Sequence, residues 1–144
     1  VGVINVGGNT DLEQKELYDR VDDAVCAVRS ALVEGILPGG GLALWEASED
    51  IKNSKSIAHA ILGVALEAPL NQILTNAGVD WSPNLVNVGH GLDVKTGKTG
   101  DMIKMGIIDP MKVTKTALQN AVSVAVTILS TNAIVTMART YDSK

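Results

Sequence analysis

Two groups of residues in this chain have types and spacing that suit chemistry on a nucleotide. Three glycines, residues 39–41, stand just before a helical pattern that begins at Leu42. Glycine lets a backbone approach a ligand closely, and the first amides of a helix attract anions. The predicted helix that precedes the glycines carries two adjacent carboxylates, Asp22 and Asp23. Together these residues indicate half of a nucleotide site.

Each group also has a structural interpretation, which the residues alone favour. Three glycines in a row are typical of a tight turn between helices, because glycine is the default turn residue. Asp22 and Asp23 point about 100° apart on a helix, so they cannot both act on one ligand. Asp23 lies nearer the apolar stripe that Val21 and Val25 define, and both aspartates fit a solvated helix face.

Two further features resemble a phosphate loop and a metal site, but the sequence supports neither interpretation. Residues 96–99, Thr-Gly-Lys-Thr, resemble a phosphate loop. That motif requires glycine five residues before its Gly-Lys pair, and Leu92 stands there. We therefore predict a hairpin tip. His59 and His90 have no metal-ligand neighbours at suitable spacing, so no metal site is predicted.

The composition of the 144 residues narrows the function classes. Hydrophobic residues make up 46% and aromatic residues 3%, which predicts an aliphatic core. The net charge is −4 without a basic cluster, which argues against nucleic acid as a partner. The single Cys26 excludes an internal disulfide and is expected to be buried.

Residues 115–139 carry no charge between Lys115 and Arg139, but frequent Asn, Ser and Thr favour a buried helix over a membrane span. No targeting segment precedes the first strand pattern, and a start at Val1 suggests processing or a fragment.

Hydrophobic periodicity and capping signals predict mainly helical structure with one small β element. Thr10 and Glu13 form a capping box, and Gly35 ends the helix that follows. Asp109 and Pro110 are predicted to open the last helix as its N-cap and first residue. In order, the predicted elements are a strand at 1–6, helices at 11–34, 42–50, 57–77 (kinked at Pro69) and 80–88, strands at 91–94 and 105–108, and a helix to 129.

The last helix is apolar nearly all round between Val113 and Leu129, as expected for the middle of a bundle. A chain that lacks the covering elements should expose this surface and self-associate.

Four segments of the sequence resemble the group I chaperonin family, the GroEL-like ring chaperones. They are Arg-Val-Asp-Asp-Ala at 20–24, Glu-Gly-Ile-Leu-Pro-Gly-Gly-Gly at 34–41, Leu-Glu-Ala-Pro-Leu at 66–70 with Asn-Ala-Gly at 76–78, and Met-Gly-Ile-Ile-Asp-Pro-Met-Lys-Val-Thr at 105–114. The resemblance covers nearly all 144 residues but only the last part of a family subunit. It implies that residues 1–34 are an intermediate-domain segment (strand plus long helix) and that 35–144 are the C-terminal half of the equatorial ATP-binding domain, a helical bundle with a small β hairpin.

The resemblance also implies roles for individual residues. Asp23 corresponds to the aspartate that activates the water attacking ATP, and Asp109 to the carboxylate that holds the ribose hydroxyls. The remaining nucleotide contacts implied in this way are Gly39 and Gly40 beside the sugar, and Asp93, Val94, Lys95 and Ile107 beside adenine.

The implied cofactor is ATP with Mg²⁺. In the family an Asp-Gly-Thr-Thr-Thr run in the N-terminal half binds the phosphates and the metal, and this sequence lacks that run. The implied partners are other subunits of a homo-oligomeric ring, with unfolded clients and a co-chaperonin bound by an apical domain that the chain does not contain. No membrane or nucleic acid partner is expected, and the implied location is the cytoplasm or an organelle matrix. The alternative is a non-enzymatic helical interaction module that does not hydrolyse ATP by itself.

Overall fold

The structure is a computed structural model that describes residues 1–80, 82, 85–133 and 135, and over these residues the chain is mainly helical. The elements, in chain order, are α1 (Asp11–Glu34), β1 (Ile36–Pro38), α2 (Leu42–Lys52), α3 (Ile57–Asn76), β2 (His90–Asp93), β3 (Lys98–Asp101), β4 (Ile108–Pro110) and α4 (Met111–Leu129). The predicted fold class is confirmed, and the division into segments 1–34 and 35–144 stays a prediction.

The long helix α1 begins and ends where its capping residues predict. The Thr10 hydroxyl accepts a hydrogen bond from the Glu13 amide at 3.2 Å. The Glu13 carboxylate accepts from the Asn9 amide at 2.8 Å, one residue before the partner that a capping box normally uses. At the other end Gly35 has a φ of 91° and its amide donates to the Ala31 carbonyl.

The strand predicted at residues 1–6 is wrong. These residues are almost entirely exposed and form no ladder within the described part of the chain. A strand gains stability only from pairing along its edge, so β-branched residues without a partner strand stay irregular.

Strands β1 and β4 pair antiparallel and join the end of α1 to the start of α4. Leu37 lies opposite Asp109 in this ladder. The Met111 amide donates to the Gly35 carbonyl at 3.1 Å, and an ion pair links Lys115 of α4 to Glu34 of α1. The sequence analysis missed β1 and placed β4 three residues too early, because the ladder depends on two segments about 70 residues apart.

The second sheet is the hairpin of β2 and β3, whose register pairs Asp93 with Lys98. A hairpin tip forms as predicted, but at residues 94–97 rather than 96–99, and β3 was not predicted. The predicted helix at 80–88 is wrong over its described residues, because Asp80, Ser82 and 85–88 are not helical and Asn87 forms a β-bridge with His90. Trp81, Pro83 and Asn84 lie outside the described residues.

Helices α2 and α3 pack as an antiparallel pair, with Gly41 beside Leu70 and Gly63 beside Lys52. Pro69 lies inside α3 as predicted, and its expected kink stays a prediction. The pair supplies most of the aliphatic core, which the hairpin region completes. The core residues are Leu42, Leu70, Leu74, Val86 and Met102.

Helix α4 contains no buried residue, so the expectation that it lies in the middle of a bundle is wrong within this chain. It contacts α1 and β4 and leaves one side open. Cys26 on α1 is also exposed, against expectation. Its predicted burial rested on residue type alone, and no described element covers that face.

Among the described residues one helix, α3, is long and apolar enough to cross a membrane by length and composition, with 22% of it buried here. Core helices of soluble proteins meet the same criteria.

Candidate functional site

The glycine turn at 39–41 lies against the backbone of two other elements. The Gly39 amide donates to the Ile107 carbonyl at 2.9 Å. A Cβ on Gly39 would lie 3.0 Å from the Ile108 nitrogen, and a Cβ on Gly41 would lie 2.8 Å from the Leu70 nitrogen. Backbone atoms cannot move aside as a flexible side chain does, so any larger residue would force β4 or α3 away.

Gly40 connects the turn to the hairpin region through Met102. Its φ is 69°, and a Cβ there would lie 3.2 Å from the Met102 methyl carbon. Met102 is only 3% exposed and also packs against Gly91 of β2. The turn therefore meets β4, α3 and the hairpin region at once. The structure explains Gly39 by packing alone, while Gly40 and Gly41 also border an open groove.

This groove has a volume of about 1020 Å³ and separates α3 from α4. The glycine turn and β4 contribute Gly40, Gly41 and Asp109 to its wall, and the two helices contribute almost entirely aliphatic side chains. Pro69 and Ile73 represent the α3 wall, and Leu118 the α4 wall. We call this space the α3–α4 groove.

Asp109 is the acidic group of the α3–α4 groove, and it does not cap α4. It lies in β4, and α4 begins after Pro110 without a side-chain cap. Burial raises the pKa of the Asp109 carboxyl above its ordinary value, because the charged form loses hydration. The described residues provide no hydrogen-bond or ion-pair partner for this carboxyl.

The hairpin tip uses one of its candidate residues in its own turn. The Asp93 carboxylate accepts from the Thr96 hydroxyl at 2.7 Å and from the Lys95 amide at 2.9 Å. The Thr96 hydroxyl bond, helped by the Lys95 amide, lowers the pKa of Asp93. Val94 and Lys95 are exposed at the tip.

Asp22 and Asp23 are both exposed on α1. Val21 and Val25 of the apolar stripe are half-buried, but α1 contains no buried residue. Asp23 lies eleven residues before Glu34, which is about 16 Å along a helix at 1.5 Å per residue. Helix α1 reaches the site through its contacts with β4 and α4.

The structure thus brings together some of the predicted site residues and separates others. Gly39 is bonded to Ile107, and Gly40 shares the groove wall with Asp109. Asp23 and residues 93–95 are not among the described residues that line this groove.

A second cavity of about 800 Å³ opens on the other side of the α2–α3 pair. Trp45 lines it, and Lys52 lies there between Glu49 and Glu67, at 2.5 Å from each carboxylate. Over the described residues, no three His, Cys, Asp or Glu side chains gather as a metal site.

Sequence reasoning missed two residues that hold the site together. Met102 packs between the glycine turn and β2, and Glu46 of α2 bonds to the Gly89 amide. Met102 lies in an irregular segment that has no hydrophobic periodicity, and the sequence around Glu46 does not distinguish it from other charged residues on a helix surface. Only a contact between distant segments distinguishes them.

Comparison with known proteins agrees with this architecture. The TCP-1/cpn60 chaperonin family matches residues 1–139. A solved group III chaperonin in the open state is 28% identical to this chain, with a TM-score of 0.78. The match covers 90% of this chain and 30% of that one, so this chain spans about a third of the relative's length. The narrower resemblance to group I stays a prediction. The match over nearly the whole sequence shows that the chain belongs to the TCP-1/cpn60 chaperonin family.

Proposed function

We propose that this chain is the C-terminal part of an ATP-dependent ring chaperonin that assists protein folding. In this proposal it supplies the catalytic aspartate, the ribose and adenine side of the ATP site, and contacts between ring subunits. Family membership supports the chaperonin class. The observation that carries the site is the meeting of Gly40 and Asp109 on one wall of the α3–α4 groove.

The chemistry of these groups fits the sugar of a nucleotide. A carboxylate accepts hydrogen bonds from hydroxyl groups, and Asp109 is half-buried without a described partner. Ribose hydroxyls would satisfy it and offset its lost hydration. Gly40 presents no side chain to the groove, which leaves room for the sugar beside the backbone.

The adenine side is assigned to the hairpin tip and to Ile107. Ile107 is half-buried and packs at the edge of the core, where an aliphatic side chain can contact a flat base. Asp93 holds the turn in shape, so that Val94 and Lys95 are presented on a defined backbone. In this assignment the Asp93 carboxylate acts on the turn, and the backbone of the tip contacts the base.

Asp23 is assigned as the base that positions and activates the attacking water. A positioned base contributes about 10² to 10⁴ in rate, and the rest of phosphoryl transfer depends on positioning and charge neutralisation. ATP supplies the phosphoanhydride bond whose hydrolysis drives the cycle. The described residues gather no Mg²⁺ ligand set, so we assign the metal and the phosphates to a family segment that this sequence does not contain.

The proposed partners follow from the same assignment. They are further chaperonin subunits in a ring, unfolded clients and a co-chaperonin, the last two bound by an apical domain outside this sequence. We place the assembly in the cytoplasm or an organelle matrix.

The test is ATP turnover by a complete chaperonin subunit whose corresponding region is replaced by this sequence. Asp23→Ala should lower kcat by about 10² to 10⁴ and change ATP affinity little. Asp22→Ala is the matched control, because its side chain points about 100° away on the same helix and should leave kcat nearly unchanged. Turnover that survives Asp23→Ala, or that both substitutions lower equally, would contradict the role of Asp23.

A second candidate function is a non-enzymatic interaction module. The wide aliphatic α3–α4 groove favours it, because exposed apolar surfaces of this kind mark binding sites. Light scattering coupled to size exclusion, with and without Mg-ATP, separates the candidates. A change in mass with Mg-ATP supports the nucleotide site, and a mass that only a protein partner changes supports the module.

A further inference from the structure

A single side chain ties helix α2 to the base of the β2–β3 hairpin. The Glu46 carboxylate oxygen Oε1 accepts a hydrogen bond from the Gly89 amide at 2.6 Å, across 43 residues of chain. Glu46 is half-buried. Hydrogen bonds to an ionised acceptor are about twice as strong as neutral ones, and partial burial limits competition from water.

Gly89 lies at the base of the hairpin, so a displacement of its backbone would move both strands. It comes directly before β2, with a φ of 73° that favours glycine. Its carbonyl accepts from the Met102 amide at 3.0 Å, directly after β3. Gly89 therefore adjoins the start of β2 and accepts from the residue that follows β3, and the Glu46 carboxylate bonds its amide.

The other end of this connection is the glycine turn. Helix α2 starts immediately after Gly41, so Glu46 and the turn belong to one continuous element. Glu46 is the fifth residue of that helix, about 6 Å along its axis from Leu42. Met102, whose amide bonds to Gly89, also packs against Gly40 and so links the hairpin back to the glycine turn.

We propose that Glu46 is a positioning residue that sets the distance between the hairpin tip and the glycine turn. It thereby aligns residues 93–95, on the adenine side, with Gly40, on the sugar side. This inference rests on the proposed ATP site for its functional part. The structural part, the hold on the hairpin, is tested separately.

The first measurement is amide hydrogen exchange on the 144-residue chain. Glu46→Ala removes the acceptor, and we expect the Gly89 and Met102 amides to exchange about tenfold faster or more. Glu46→Gln keeps an acceptor oxygen without the charge and should recover part of the protection. Asp50→Ala, an exposed carboxylate on the same helix, is the matched control. Amides in the core of α3, such as Leu70, should keep their rates in all three variants.

The second measurement is turnover by the complete subunit that carries this sequence. Glu46→Ala should raise the KM for ATP about fivefold with kcat within twofold, and Glu46→Gln should restore KM in part. Unchanged hairpin exchange, or faster exchange throughout α3 as well, would overturn the proposal. An unchanged KM for ATP in Glu46→Ala, together with faster exchange of the hairpin amides, would also overturn the proposal, because Glu46 would then have only a structural role. If Asp23→Ala leaves turnover intact while Glu46→Ala still loosens the hairpin, the proposed function fails and the hold by Glu46 stands.

Discussion

The core around α2 and α3 and the surface of α4 are both rich in aliphatic residues, yet only the first is buried. Leu42, at the start of α2, is 1% exposed within the core, whereas Leu129, at the end of α4, is 84% exposed. The core face is covered by α3, the hairpin region and Met102. On the α4 side the described residues supply no cover. Burial therefore follows the presence of a complementary surface rather than hydrophobicity.

The candidate site lies at the boundary between these two regions. Gly41 packs on the α3 backbone, and Gly40, Gly41 and Asp109 all border the α3–α4 groove. A rigid, packed side positions the residues, and an open side leaves access for a ligand. Four predictions test this contrast, from the largest expected effect to the smallest.

Gly41→Ala should strongly destabilise the packed region. The new Cβ would lie 2.8 Å from the Leu70 nitrogen at a φ of 80°. We expect a loss of about 2–3 kcal/mol in the free energy of unfolding, measured by urea titration. Gly97→Ala is the control, because Gly97 has a φ of 70° in open space, and αL strain alone costs about 1–2 kcal/mol. Equal losses would contradict the close approach at Gly41.

Charges in the α3–α4 groove should weaken the predicted self-association without unfolding the chain. Ile61 and Val126 line the groove and are exposed. The double variant Ile61→Lys and Val126→Lys should raise the dissociation constant about tenfold or more, because each buried aliphatic side chain contributes about 1.5–3 kcal/mol. Sedimentation at several concentrations measures it. Val33→Lys, exposed on α1 outside the groove, is the control. A groove variant that associates like the control would assign self-association to another surface.

Asp109→Asn should slightly raise the melting temperature at neutral pH. Burial raises the pKa of Asp109 in the folded state, so its protonated form fits the fold better. The resulting stability is present below the ordinary value of 3.8 and is lost as pH rises through the folded pKa. The gain from asparagine should therefore shrink as the solution is acidified.

Asp101→Asn gives the opposite sign and serves as the control. The Lys104 amide lowers the pKa of Asp101, so its contribution is present above 3.8 and is lost as pH falls through the folded pKa. Melting curves from pH 3 to 8 compare the two variants. Parallel pH dependences would contradict the half-buried state of Asp109 without a described partner.

Lys52→Met should have the smallest effect. Lys52 pairs with Glu49 on its own helix and with Glu67 across the α2–α3 contact, and its side chain is 38% exposed. Exposed ion pairs contribute about 0–1 kcal/mol, and salt screens them. We expect a loss within that range by urea titration, reduced further in 1 M salt. Lys104→Met, whose Asp101 partner is local, should cost no more.

Local signals in the sequence determined the helices. The Thr10 and Glu13 cap, the Gly35 stop and the 3.6-residue periodicity act within a few residues, so α1, α2 and α3 could be predicted closely. The hairpin tip at Gly97 was predicted for the same reason. The four chaperonin-like segments likewise predicted the family from sequence alone.

Tertiary structure decided the features that depend on distant partners. The β1–β4 ladder required residues 36–38 and 108–110 to meet, and that pairing moved Asp109 from a helix cap into a strand at the groove wall. The irregular state of residues 1–6 and the exposure of α4 followed from missing partners rather than from residue type. The contact between Glu46 and Gly89 had no local signal at all. Hydrogen bonding along a helix is local and can be predicted from neighbouring residues. Burial and strand pairing occur only where the folded chain supplies a second surface.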